Sequence, residues 1–124
     1  MIPRAGGAAP QGQVSPAIID GIFRALSDPT RRDVLDRLSA HSASVSNLAA
    51  TYDMALPSFV EHLKVLERSG LVRSHKEGRV RTYELVPTQM KVAENWLARQ
   101  RTLWERRLDQ LDSYLMKMKQ ENEK

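Results

Sequence analysis

Between residues 57 and 69 apolar side chains recur at Phe59, Leu63 and Leu66, the i, i+4, i+7 spacing of one helical face, with Val60 on its flank. The positions between them, Ser58, Glu61, His62, Lys64, Glu67 and Arg68, are polar. This pattern predicts an amphipathic helix over Pro57 to Ser69, one face packed and the other open. Directly after it the period shortens to two. Tyr83 and Leu85 alternate with polar residues, and Leu71 to Lys76 and Arg79 to Leu85 read as strands joined at Glu77-Gly78. Upstream, Val45, Leu48 and Ala49 mark a short helix to about Tyr52, followed by a turn over Asp53 to Pro57.

Two further helices precede these. Ile18, Ile19, Ile22, Phe23 and Leu26 spread over a wide arc of the first, and Val34, Leu35 and Leu38 form the inward stripe of the second. Their ends are punctuated. Ser15-Pro16 supplies an N-cap and a proline at the first helical position, and Asp28-Pro29 repeats the device after the first helix stops at Ser27. His41 to Ser44 reads as a linker, and Ser69-Gly70-Leu71 as a helix stop with glycine at positive φ. Arg31 and Arg32 either pair with Asp28, Asp33 and Asp36 or reach phosphates, the ion pairs being the favoured reading.

From Pro87 to about Lys119 no proline or glycine interrupts a long helical pattern. Met90, Ala93, Leu97, Trp104, Leu108, Leu111, Leu115 and Met118 follow steps of three and four, apart from the gap between Leu97 and Trp104. A helix of about thirty residues is roughly 45 Å long, more than a small domain covers by itself. The expected cover is the same helix of a second chain, with Ile18 and Ile22 of the first helix beside it. The expected dimer interface is therefore Ile18, Ile22, Leu97, Trp104, Leu108, Leu111 and Leu115. Trp96 and Trp104 are read as core, with a ligand pocket at the interface as the alternative.

The element order is α-α-α-α-β-β-α, a mainly helical fold with a small β-hairpin, that is, a winged helix-turn-helix dimerising through its first and last helices. A chain of 124 residues suits one domain, expected over residues 16–119, with a disordered tail over 1–15 and a frayed end over 120–124. Composition narrows the chemistry. There is no cysteine, which excludes disulfides and thiolate ligands, and the three histidines, His41, His62 and His75, fall on separate elements. No metal, no cofactor and no catalytic constellation is expected. The N-terminus has no apolar leader, and no run of about 18 apolar residues occurs; a cytoplasmic protein without membrane contact is expected.

The formal charge of +4 matters chiefly through its placement. Lys76, Arg79 and Arg81 cluster at or near the hairpin tip, where a guanidinium beside glycine can enter a narrow minor groove. On the helix before it, Lys64 and Arg68 suit phosphates, while Ser58 and Glu61 suit base edges or, for Glu61, a neighbouring cation. His62 either reaches the groove or packs on the preceding helix. The DNA-binding set expected from the sequence is Ser58, Glu61, His62, Lys64, Arg68, Lys76, Arg79 and Arg81.

The segments ALSDPTRRDVLDRL, LAATYDMALPSFVEHLKVLERSGLV and GRVRTYEL resemble the ArsR/SmtB-type winged-helix repressors of bacteria and archaea over about residues 17–87. That resemblance implies a homodimer whose recognition helices enter successive major grooves of a palindromic operator in double-stranded DNA, repressing transcription. Where many members carry Ser, Gln, Ser and Arg on this helix, the chain has Ala55, Leu56, Val60 and Glu61. The cysteine motif of the metal-sensing branch has no counterpart around Leu48 to Tyr52, and its His/Asp pairs on the last helix are missing, so a non-metal-sensing member is expected. An effector of unknown chemistry is left open. The alternative is a winged helix used for protein assembly, docking a partner through Leu56 and Phe59 with only non-specific DNA affinity.

Overall fold

The computed structural model describes residues 15–123, so the tail expected over residues 1–15 lies outside the described residues except for Ser15. The elements are α1 (Pro16–Leu26), α2 (Pro29–Leu38), β1 (Ala43–Ser44), α3 (Val45–Ala49), α4 (Leu56–Arg68), β2 (Val72–Glu77), β3 (Val80–Leu85) and α5 (Pro87–Asn122). Apart from β1 this is the expected order. The linker expected at His41 to Ser44 contains that extra strand: Ala43 and Ser44 pair antiparallel with Tyr83 and Thr82, giving a three-stranded sheet in the order β1-β3-β2. Two residues of strand carry too little periodicity to be read from sequence.

Local chemistry explains the helix ends. The Ser15 hydroxyl accepts from the amide of Ile18 at 3.3 Å, and the Asp28 carboxylate from that of Arg31 at 3.0 Å. Each cap is followed by proline, whose missing N–H is one the first turn does not need. At the far end of α4 the amide of Leu71 donates to the carbonyl of Leu66 at 3.2 Å and that of Gly70 to Glu67 at 3.0 Å. This pair of bonds is a Schellman motif, and it requires the left-handed backbone that Gly70 adopts at φ +81°. Gly78, at φ +63°, does the same for the hairpin tip.

One core holds α1 to α4 and the sheet together. Ile22, Val34, Leu48, Phe59, Leu63, Leu66, Leu71 and Val72 are each at most 2 % exposed. Phe59, Leu63 and Leu66 are the inward stripe of α4 as its spacing predicts, and Tyr52 stacks on Phe59 with ring centroids 5.1 Å apart. Ile22 corrects an expectation. Placed by the sequence reading at a subunit interface, it is fully buried in the chain's own core, whereas Ile18 remains 45 % exposed.

Arg31 acts on Asp28 through its charge, as expected, but the hydrogen bonds of Arg31 and Arg32 go elsewhere. Arg31 donates to the carbonyls of Ala25 at 2.8 Å and Arg24 at 3.0 Å, and Arg32 to that of Leu26 at 2.8 Å. These carbonyls lie in the last turn of α1, where helical partners run out; that of Arg24 also accepts from the Ser27 amide and hydroxyl.

The chain divides into two compact units with the boundary between Ala93 and Glu94, inside the length of α5. Ala93 is buried and belongs to the core just described. The second unit is helix alone. From Glu94 to Asn122 no side chain is buried, and Leu97, Trp104, Leu108, Leu111 and Leu115 are each 51–60 % exposed. The helix runs three residues beyond the expected end at Lys119.

Candidate nucleic-acid interface

A cleft of about 790 Å³ lies between α4 and the hairpin, lined by Val60, Lys64 and Glu67 of α4, by Arg79, Val80, Arg81 and Tyr83, and by Ser44, Val45 and Ser46. Each group is brought there by a local cause. The inward stripe of α4 turns Lys64 outward, next to the fully buried Leu63. Period-two alternation on β3 buries Tyr83 and leaves Arg81, two residues earlier, on the same face nearer the tip. Gly78 closes the tip and sets Arg79 beside it, exposed.

Strand register adds an electrostatic point. Lys76 stands directly opposite Arg81, and like charges across an antiparallel pair oppose folding. A second cation is neutralised at the base of the hairpin, where Arg73 hydrogen-bonds Glu84. Arg81 has a different partner: it donates to the Ser74 hydroxyl at 2.8 Å, which in turn donates to Glu67 at 2.8 Å. Arg81 is thereby linked through Ser74 to α4.

The structure brings only part of the expected DNA-binding set to the cleft. Lys64, Arg79 and Arg81 line it. Ser58 is exposed on α4 and Lys76 on β2. Arg68 lies instead at a separate notch with Gly21, Arg24, Val65 and Ser69, and pairs with Glu61 at 3.2 Å across two exposed side chains. That pairing is the alternative weighed for Glu61. His62 turns away from the exposed face: its Nδ1 is 3.0 Å from Arg31 Nη1 and 3.7 Å from the Asp28 carboxylate, and its side chain is 22 % exposed. His62 therefore packs on the start of α2 and its cap, and not on α3, the helix directly before α4. Ser44, Ser46 and Glu67 escaped the sequence reading as cleft residues; only the β1–β3 pairing brings the serines there, and no periodicity announces it.

The surrounding electrostatics are ordinary for a surface site. Burial pushes the Tyr83 phenol above its usual range, and the Glu67 charge works in the same direction against a Ser74 hydrogen bond and the Arg81 charge. Among the described residues no group of three or more His, Asp or Glu side chains could hold a metal ion. No helix among them is long and apolar enough to cross a membrane. Trp104, proposed from sequence as core or ligand-lining, is 60 % exposed with the Arg107 guanidinium 5.7 Å from its ring.

Comparison with known proteins agrees with this architecture. Residues 26–75 match the helix-turn-helix domain family HTH_20. The transcriptional repressor SdpR of Bacillus subtilis is 30% identical over 79 residues, 64% of this chain and 88% of that protein. A crystal structure of an ArsR family transcriptional regulator superposes with a TM-score of 0.72 at 53% identity, covering 74% of this chain and 95% of that one. An ArsR-like transcriptional regulator from Rhodococcus sp. has a TM-score of 0.68 at 33% identity, covering 77% and 90% respectively. These relatives are regulators and not enzymes. The chain belongs to the ArsR family of winged helix-turn-helix, DNA-binding transcriptional regulators.

Proposed function

We propose that this chain represses transcription as a homodimer, each copy presenting α4 to a major groove and its hairpin to the adjacent minor groove of a palindromic operator. The observation that carries the reading is the cleft that places Lys64 of α4 and Arg79 and Arg81 of the hairpin along one surface. Cations on two projecting elements suit the phosphate strands flanking a groove, and Arg79 at the tip suits the negative potential of a narrow minor groove. An assembly module docking through Leu56 and Phe59 is less well supported. Leu56 is 56 % exposed, but Phe59 is 1 % exposed and has no surface to offer.

Dimerisation draws support from α5. Leu108, Leu111, Leu115 and Met118 keep the three-four spacing of a packing seam, and each is 41–57 % exposed. A second copy of the same seam, related by a two-fold axis, buries both.

Fluorescence anisotropy against a labelled duplex from the upstream region of its own gene, with a scrambled duplex as control, tests the reading. Binding to the native duplex roughly a hundredfold tighter, and steeply weakened by salt, is expected of a specific regulator. Equal and salt-insensitive binding to both duplexes would count against it.

A further inference from the structure

The anionic residue in the cleft needs an account. Glu67 lines a surface otherwise furnished with Lys64, Arg79 and Arg81, and a carboxylate there repels a polyanion. Its hydrogen bonds explain its presence. The Ser74 hydroxyl donates to Glu67 Oε2 at 2.8 Å and accepts from Arg81 Nη1 at 2.8 Å. A guanidinium can only donate and a carboxylate can only accept, so these two bonds run from Arg81 through Ser74 to Glu67, with the Tyr83 phenol as a further hydrogen-bond neighbour of Ser74. The Cα register sets Ser74 opposite Tyr83, which is 4 % exposed and anchors this part of the sheet. The relay therefore ties a long cation on β3 to the last turns of α4 through a fixed point.

We propose that Ser74 and Glu67 are positioning residues for DNA recognition, holding the Arg81 guanidinium in the cleft so that hairpin and α4 meet the duplex as one preorganised surface. The inference rests on the reading of that cleft as the DNA-binding surface. An arginine held in place before binding loses less side-chain freedom on contact than a free one, and the difference appears as affinity. Of the three linked residues, Arg81 makes the phosphate or base contact, and Ser74 and Glu67 make none.

The test uses the full-length protein and the native upstream duplex, by anisotropy over a series of salt concentrations. Arg81→Ala removes a contact, so affinity falls and the slope of log affinity against log salt becomes shallower by about 0.9. Ser74→Ala leaves the cation in place but unheld, so affinity falls roughly two- to tenfold with the slope unchanged. Glu67→Ala and Glu67→Gln remove the same charge, yet only glutamine keeps an acceptor for Ser74. Glu67→Ala is therefore expected to bind roughly two- to tenfold more weakly than Glu67→Gln. In the double variant Ser74→Ala/Arg81→Ala the serine change adds nothing further.

Equal affinities for the two Glu67 variants, or Ser74→Ala binding like wild type, overturn the relay while leaving the cleft reading intact. An Arg81→Ala variant with unchanged affinity and slope overturns both. A second readout needs no DNA: the Arg81 Nε–Hε order parameter from nuclear magnetic resonance should drop in Ser74→Ala and Glu67→Ala but not in Glu67→Gln. An unchanged value in all three also overturns the proposal.

Discussion

Arg31, in the first turn of α2, places Nη1 3.0 Å from Nδ1 of His62 in the middle of α4. Because a guanidinium can only donate, the imidazole accepts at Nδ1 and carries its proton on Nε2 when neutral. The same arginine closes the end of α1 through the carbonyls of Arg24 and Ala25. One side chain thus joins three helices, and the recognition helix is fixed to the body of the fold by a polar contact as well as by Phe59, Leu63 and Leu66.

Removing that fork should be costly for an intermediate-exposure surface residue. Arg31→Ala leaves the Ala25 carbonyl and the His62 imidazole without this donor, while the Arg24 carbonyl keeps the Ser27 amide and hydroxyl, and charge-assisted bonds of this kind contribute about 1.5–3 kcal/mol. A destabilisation of about 2 kcal/mol in urea unfolding is expected, with the m-value unchanged. Arg31→Lys should recover little of it, since one ammonium cannot span three acceptors in different directions. Wild-type stability in Arg31→Lys would contradict this assignment.

Asp28 makes stability depend on pH. Partial burial pushes its carboxyl upward, but the backbone amide of Arg31 and the charges of His62, when that ring is protonated, and of Arg31 outweigh this and hold it below the usual 3.8. A carboxylate with a depressed folded-state value contributes stability that is complete above the unfolded value and is lost as pH falls through the folded one. Asp28→Asn keeps a capping oxygen without the charge. In urea midpoints measured across the acid range, wild type should exceed Asp28→Asn by a constant margin above the ordinary carboxylate value. The two should converge below it, and a margin that persists at the acid end would contradict the argument.

The two left-handed glycines should respond differently to the same substitution. At Gly70 a Cβ would lie 2.8 Å from Cγ of Gln89, whose amide donates to the Ser69 carbonyl at 3.3 Å. At Gly78 nothing lies within 4 Å. Gly78→Ala therefore meets only the backbone cost of about 1–2 kcal/mol. Gly70→Ala adds displacement of Gln89 and loss of its bond, for about 1 kcal/mol more. Thermal unfolding of the two variants should rank them in that order, and the reverse ranking would sink the account.

How much of this was legible in the sequence follows from the range of the forces involved. The helix ends were readable at Ser15-Pro16, Asp28-Pro29 and Ser69-Gly70 because capping is settled within four residues. The inward face of α4 was readable because burial imposes a period. Contacts made across the fold left no such mark. Arg31 looked like a partner for its own acidic neighbours, yet the carbonyls it serves lie at the end of α1 and become reachable only once α1 and α2 pack. The reach of Arg81 depends likewise on the register that sets Ser74 across from Tyr83. Ile22 failed as an interface residue for a related reason: α1 is apolar over a wide arc, and periodicity cannot say which edge of that arc the chain's own core consumes.

That distinction gives the last expectation, on self-association. Leu111 is 51 % exposed in the middle of the α5 seam, whereas Ile22 is fully buried. If the seam is covered by a second copy, Leu111→Glu places a charge in an apolar interface without touching the core of residues 15–93. Sedimentation velocity should then show a monomer, while the far-ultraviolet signal of the remaining elements is retained. Ile22→Val, by contrast, deletes one buried methyl group and should lower stability by about 0.5–1.5 kcal/mol while leaving the sedimentation coefficient as it is. Should Leu111→Glu sediment like wild type, the exposed row on α5 is not where two copies meet. Dissociation by Ile22→Val at protein concentrations where wild type is dimeric would instead mean that α1 reaches the interface through the core it packs.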